Sequence, residues 1–537
     1  MAKAVLLVVG LGWLTWLIRL SKVPRMTGYF SGIVGLFFLF NIAIAANSEP
    51  VRLFVKEVPL KILGREVSVV SIEQADGTSG YSPEQAEGFH VEVVNQLKVP
   101  TGIHWHGLVL PNLMDGVPFV TQKPIEPGRS YRYDFPLRQS GTYWMHSHYG
   151  LQEQLFNSAP MIIWTAEERA RADRQVVVML SDFSFTPSGK ILENLKAGMQ
   201  MPAMESKPSG TMKMDSAAKM SKMADSVPGE VIAQEWDDQK QRFVRATVRR
   251  ASAEVDVSYD ALVANRRTLD DPELVPVTPG ETALLRLIAA SSATNFYIDT
   301  GALEAEVLAV DGKAVQPIKG SFFQLGIAQR IDLRVTIPKE GGAFPIVAQG
   351  EGTKLLCGVV LQSEGAALPK LSPEAAMSTA SLDNTQEKRL RAMTPLVARD
   401  AQRTLPATLS GDMKTYVWKI NQEAYPNRDS LDIQSGERVQ IIFANETTMA
   451  HPMHLHGHDF EVQEIDGEKV TGPIRDTVVV PPKSKITIAF DANNLGIWAL
   501  HCHLLYHLVT GMFTVLKYDG ADIEFWQPEK QASELKH

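Results

Sequence analysis

The chain has 537 residues, 45% of them hydrophobic and 21% charged, which excludes wholesale disorder and, at about 100–200 residues per domain, predicts roughly three to five domains, three being the working number. A formal charge of −8 with no Lys/Arg run offers no field to a polyanion, so nucleic acid is not expected as a partner. Two cysteines, Cys357 and Cys502, exclude a disulfide framework.

Two apolar runs open the chain. Ala4 to Ile18 is short for a membrane span, and Phe30 to Ala46 ends in Ala43-Ile44-Ala45-Ala46, the pattern of a signal-peptide core with its cleavage site. Arg19, Lys22 and Arg25 between them belong on the cytoplasmic side, which sends the polypeptide after Ala46 across the membrane. Residues 1–46 are therefore expected to direct export, with cleavage near Ala45 or Ala46. If both runs are retained they form a two-helix membrane anchor, and Met26 is an alternative start.

From residue 47 onward, short alternating or apolar stretches separated by Gly, Pro, Asn and Asp turns predict a mainly β chain of sandwich domains. An internal repeat sharpens this. "VVNQLKVPTGIHWHGLVL" (93–110) matches "IFANETTMAHPMHLHGHDF" (442–460) in hydrophobic pattern and in its H-x-H-G motif. Each is followed by an alternating strand and a second H-x-H, in "SYRYDFPLRQSGTYWMHSH" (130–148) and "KITIAFDANNLGIWALHCH" (485–503). A weaker third copy at 279–312 has Ser, Asn and Tyr where the others have histidine. The expected domains are 47–170, 171–365 with a Met-rich insertion at 199–223, a linker at 366–405, and 406–537.

Ten of the thirteen histidines fall in four clusters: His104 and His106; His146 and His148; His451, His454 and His456; His501, His503 and His507. Alternate residues of a strand project from one face about 6.6 Å apart, so each H-x-H can aim two imidazoles at one ion or at two adjacent ions. Eight paired imidazoles suit a cluster rather than one ion, and imidazole alone leaves the metal open. "HCHLLYHLVTGM" narrows it. Cys502, His507 and Met512, with His451 from the neighbouring loop, supply one thiolate, two imidazoles and a weak thioether, the donor set of a blue-copper centre. Cys502 points opposite to His501 and His503, so its sulfur faces the blue site while the flanking imidazoles face the cluster. Cys357 is left as a lone buried thiol, and His90, His458 and His537 receive no role.

These four motifs resemble those of the multicopper oxidases, over about residues 50–520. The resemblance implies three consecutive cupredoxin-like Greek-key β-sandwich domains holding four copper ions. It places a type 2 copper on His104 and His454, one type 3 copper on His106, His146 and His503, and the other on His148, His456 and His501. It also implies one-electron oxidation of a donor at the blue (type 1) copper, through Cys502, and four-electron reduction of dioxygen to water at the cluster. That reduction consumes protons, and Asp115 in "MDGVP" matches a carboxylate that supplies them in relatives; its alternative is a plain turn residue. Some bacterial relatives carry Glu directly after the last blue-copper histidine, where this chain has Leu508, which puts that proton route in doubt. Asp476 in "GPIRDTVVVPP" is expected to be structural, bonding between the ligand loops or pairing with Arg475.

The insertion holds Met199, Met201, Met204, Met212, Met214, Met220 and Met223, soft thioethers that select Cu(I), although Lys207, Lys213, Lys219 and Lys222 would repel a cation. With the middle-domain text "YDALVANRRTLDDPELVPVTPGETALLRLIAASSATNFYI", the chain looks like the bacterial copper-resistance protein A type. That implies oxidation of Cu(I) or small phenols and copper tolerance in the periplasm. The alternative from a different class is a periplasmic copper-sequestering protein that works by binding.

Overall fold

The computed structural model describes residues 49–171, 174–198, 229–427 and 429–535. The N-terminal runs, the Met-rich segment and His537 lie outside them. Among the described residues no helix is long and apolar enough to cross a membrane.

The chain is mainly β, as its alternating pattern predicts. In Phe89–Asn95 every second residue is buried, so Phe89, Val91 and Val93 enter a core while His90 and Glu92 do not. This strand belongs to a four-stranded sheet ordered Arg65–Glu73, Val51–Ile62, Phe89–Asn95, Ser130–Phe135, accompanied by a three-stranded sheet of Ile103–His106, Gly141–Ser147 and Ser158–Ile163. The C-terminal part repeats the arrangement. A seven-stranded sheet carries Arg403–Asp412, Arg438–Asn445 and Lys485–Asp491 side by side. Its companion is ordered Leu431–Ile433, Phe513–Tyr518, Ile497–Cys502, His451–Leu455, Thr477–Val480. Between these parts of the sequence, eight-stranded and five-stranded sheets enclose a separate core that includes Leu285, Val307, Phe323, Leu333 and Cys357.

The repeat seen in sequence is physical. Asn95 and Asn445, each closing a strand, are buried and use their amide groups on loop backbone: Asn95 donates to Val99 and Ile125 carbonyls, and Asn445 to those of Met449, Val480 and Pro481. A buried amide is retained only when its hydrogen bonds are made, and here they set the approach to both H-x-H strands. The first and last sandwiches share one apolar core, from Leu53 and Trp105 to Met453 and Phe513. Each fully buried Leu or Phe there contributes about 1.5–3 kcal/mol.

Residues 366–405 are less of a free linker than composition suggests. Most of the segment lacks regular structure, yet Leu390 is buried in the middle core and the Leu382 amide donates to Glu351. Its Glu387 carboxylate accepts two hydrogen bonds from Arg475.

Candidate metal centres

All twelve side chains singled out from sequence as ligands are buried. Strand register brings the histidines together, since His104 pairs with His146, and His454 with His501, across antiparallel neighbours. Hydrogen bonds then fix which ring nitrogen faces inward. His104 Nδ1 donates to the Asp115 carbonyl (2.8 Å) and His454 Nδ1 to the Asp476 carbonyl (2.8 Å), which leaves bare lone pairs on two Nε2 atoms 3.4 Å apart. His456 Nδ1 donates to Asp115 Oδ2 (2.9 Å) and His501 Nδ1 to the Cys502 carbonyl (2.9 Å). Their Nε2 atoms are 3.0 Å apart, with His148 Nε2 3.3 Å from that of His501. His146 Nδ1 faces the Ser147 carbonyl (3.0 Å), and its Nε2 lies 3.4 Å from His503 Nε2. His106 is turned the other way: Nε2 meets Asp476 Oδ1 and Thr477 Oγ1, both at 3.1 Å, and Nδ1 is buried without a partner.

Lone pairs facing one another at such distances repel unless a cation lies between them. This donor chemistry therefore fits metal ions, with imidazole nitrogens as ligands. Three of the four H-x-H pairs, His146/His148, His454/His456 and His501/His503, divide between two of these nitrogen groups, an arrangement suited to two adjacent ions per pair. Burial first, then neighbouring histidines, push His106, His146, His454, His456 and His503 well below the ordinary imidazole range, so they are neutral as ligands must be.

The second site lies on the other side of the same strand. Cys502 Sγ is 3.7 Å from His451 Nδ1 and 3.8 Å from His507 Nδ1, and the two nitrogens are 3.2 Å apart. The point equidistant from all three lies about 2.1 Å from each, within the about 2.0–2.3 Å typical of nitrogen and sulfur bonds to such ions. His451 Nε2 donates to Thr447 Oγ1 (2.8 Å), and His507 Nε2 lies 2.9 Å from Asp256 Oδ2, so both Nδ1 lone pairs face the sulfur. Burial pushes the Cys502 thiol up, and a thiolate there needs a cation beside it. Met512 is buried, and its backbone binds Cys502 and His507: its carbonyl accepts from the Cys502 amide, and its amide donates to the His507 carbonyl. Trp418 stacks on the His507 ring at 3.7 Å.

Several site residues escaped the sequence reading. Asp256 comes from an irregular segment far from His507, and Glu153 lies in a buried turn whose Oε2 is 3.4 Å from His146 Nδ1. Burial, ahead of the Asp182 charge, pushes Glu153 well up, opposite to what a neighbouring cation does. Asp476 does not pair with Arg475. Its carboxylate accepts two hydrogen bonds from Arg330, at 2.8 Å and 2.5 Å, while Arg475 turns to Glu387 and Asp311. Consecutive extended residues point to opposite sides, so Arg475 was a poor partner from the start. Asp115 does more than turn the chain: its carboxylate lies 2.9 Å from His456 Nδ1 and 3.2 Å from His104 Nδ1. His458 is a satisfied core residue, between the His456 carbonyl and the Tyr518 hydroxyl, and His90 lies 3.2 Å from Asp134 on a partly exposed strand.

Three family models, each described as multicopper oxidase, match residues 83–168, 231–366 and 399–522. The chain is 32% identical over 432 residues to "Multicopper oxidase MmcO" of Mycobacterium tuberculosis, covering 80% of this chain and 79% of that one. It is 27% identical to "Copper resistance protein A" of Pseudomonas syringae pv. tomato over 87% of this chain and 92% of the relative. Among solved structures, a laccase from Botrytis aclada superposes with a TM-score of 0.67 at 19% identity, covering 90% of each chain. That likeness concerns the fold, three cupredoxin-like sandwiches.

Proposed function

Because this chain belongs to the multicopper oxidase family, and so uses copper to couple donor oxidation to dioxygen reduction, we propose that Cys502, His451, His507 and Met512 hold the type 1 copper and the eight paired histidines hold the other three. In this assignment His104 and His454 hold the type 2 copper, His106, His146 and His503 one type 3 copper, and His148, His456 and His501 the other. When bound, the coppers accept single electrons from a donor and deliver four to dioxygen, giving two waters.

The observation that carries the reading is the strand Ile497–Cys502 and its continuation. Cys502 Sγ reaches His451 and His507 while His501 and His503, one residue to either side, join the imidazole groups behind it. Electron passage between the sites then requires one cysteine and a few backbone bonds. Asp115 orients two ligand rings and is the acid proposed to hold a proton for the cluster. Asp476 fixes His106 with Nδ1 inward, and Arg330 neutralises the Asp476 carboxylate. Asp256 Oδ2 lies 2.9 Å from the outer nitrogen of His507, where carboxylate partners of metal-bound histidines stand.

We further propose that the donor is Cu(I) or a small phenol, that the Met-rich segment 199–223 gathers the cuprous ion, and that the protein works in the periplasm in copper tolerance. The soft thioethers of that segment, the export pattern of residues 1–46 and the likeness to proteins named for copper resistance support this. The domain limits are taken as 47–170, 171–365 and 406–537. Oxygen uptake by copper-loaded protein with Cu(I) or a phenol tests the assignment. Turnover supports it, and bound copper with no oxygen uptake from either donor would favour sequestration.

A further inference from the structure

The fold places one buried carboxylate against the cluster histidines that neither the ligand motifs nor the proposed coppers account for. Glu153 sits in the turn Gln152–Leu155, just after the second H-x-H of the first sandwich, and is buried together with both flanking glutamines. Burying a carboxylate costs several kcal/mol, on the order of a lost charge–water shell, unless partners face it. Glu153 Oε2 lies 3.4 Å from His146 Nδ1 and Oε1 lies 3.7 Å from His503 Nδ1. Glu153 Oε1 and His503 Nδ1 each lack a hydrogen bond, so two orphaned buried atoms look at one another. His146 Nδ1 is shared with the Ser147 carbonyl, which makes His503 the ring most dependent on Glu153.

Both histidines turn their other nitrogen toward the same point, with the Nε2 atoms 3.4 Å apart. They come from different sandwiches, His146 from the first and His503 from the last, so one carboxylate spans the seam between them. The flanking residues hold it there. Gln152 Oε1 accepts from Thr101, Ser147 and Asn157, and Gln154 Oε1 accepts from the hydroxyls of Tyr259 and Tyr506, the latter beside His507.

We infer that Glu153 is a positioning residue of the cluster: its carboxylate takes the Nδ1–H of His503 and shares that of His146, fixing both rings so that their Nε2 atoms converge on one copper. The inference rests on the copper assignment proposed above. Partners of this kind fix the tautomer and ring orientation, and their loss typically weakens metal binding or activity about 10–100-fold. Leu508 leaves no carboxylate at the position where some relatives carry one; Asp115 faces His104 and His456, Asp476 faces His106, and Glu153 faces His146 and His503.

The test is Glu153→Gln in the full copper-loaded protein, which keeps size but offers only one acceptor. Copper content is measured against a graded chelator, with the blue absorbance and the electron paramagnetic resonance spectrum. Expected is about 10–100-fold easier loss of cluster copper, with the blue band retained and a new resonance from type 3 copper no longer paired. A merely structural role would instead lower the unfolding midpoint of the copper-free variant and weaken both sites together, which overturns the inference, as does wild-type retention with a wild-type spectrum. If Glu153→Gln does not fold, Glu153→Asp carries the test: intermediate retention supports the inference and wild-type retention overturns it. Wild-type protein that fails to bind four coppers sinks the assignment itself, whereas full loading of wild type with no change in the variant sinks only the role of Glu153.

Discussion

Gly107, which closes the first H-x-H-G, ties backbone conformation to the site in a way that one substitution can measure. Its φ is +88°, and a Cβ there would lie 2.4 Å from Asp476 Oδ2 and 2.5 Å from Arg330 Nη2, the atoms of a fully buried ion pair. Gly107→Ala therefore carries two costs. The left-handed backbone alone costs about 1–2 kcal/mol, and displacing one partner of a buried pair costs about 3–5 kcal/mol more. Gly128→Ala is the control, because its φ is +71° and nothing lies within 4 Å of the added Cβ, so it bears only the first cost. Chemical unfolding of both copper-free variants, followed by tryptophan fluorescence, should place Gly107→Ala well below Gly128→Ala. It should also lose copper on loading, since Asp476 supports His106. Equal midpoints and equal copper content would refute the claim that this glycine is required by the Arg330–Asp476 pair.

Cys502→Ser should abolish the blue absorbance and all turnover while the remaining coppers stay bound, which copper analysis and spectroscopy check together. Deleting residues 199–223 should reduce Cu(I) oxidation more than phenol oxidation; equal losses would contradict a cuprous role for the methionines. Acid should destabilise the copper-free protein through its histidines. Burial pushes His458 and His501 down to about 4, against about 6.5 unfolded, so below about pH 6.5 the unfolded chain binds protons that the folded chain refuses. Stability is then lost as pH falls from about 6.5 toward 4, by up to about 1.4 kcal/mol per pH unit for each such histidine. An unfolding midpoint that stays flat over that window would count against it.

The candidate ligands were legible because strand alternation writes them locally: two histidines with one residue between them, and a cysteine in the middle of the last pair. The same local rule could not say whether a pair serves one ion or two, because that depends on which strand lies opposite. His104 stands by His454 and His106 by Asp476 only after the first and last sandwiches meet. Carboxylates that orient the rings were harder to see. Asp256 reaches His507 and Arg330 reaches Asp476 across long stretches of sequence; Asp256 sits outside any strand, and Arg330 opens the alternating strand Arg330–Thr336 on its polar side, which reads as exposed. Glu153 follows a motif closely enough to be noticed, yet a Glu between two glutamines reads as surface until the turn is seen to face inward. The packing of segment 366–405 was hidden for a related reason: its composition does not show that Leu390 and Glu387 are held by partners distant in sequence.

The claim that one β-segment joins the two metal sites is tested most directly by reducing the copper-loaded protein without air, admitting a limited amount of oxygen, and following the blue band together with the products. The account predicts that blue colour returns in step with oxygen consumption, with four electrons used per dioxygen and water as the product. Release of hydrogen peroxide, or oxygen consumption while the blue copper stays reduced, would contradict it.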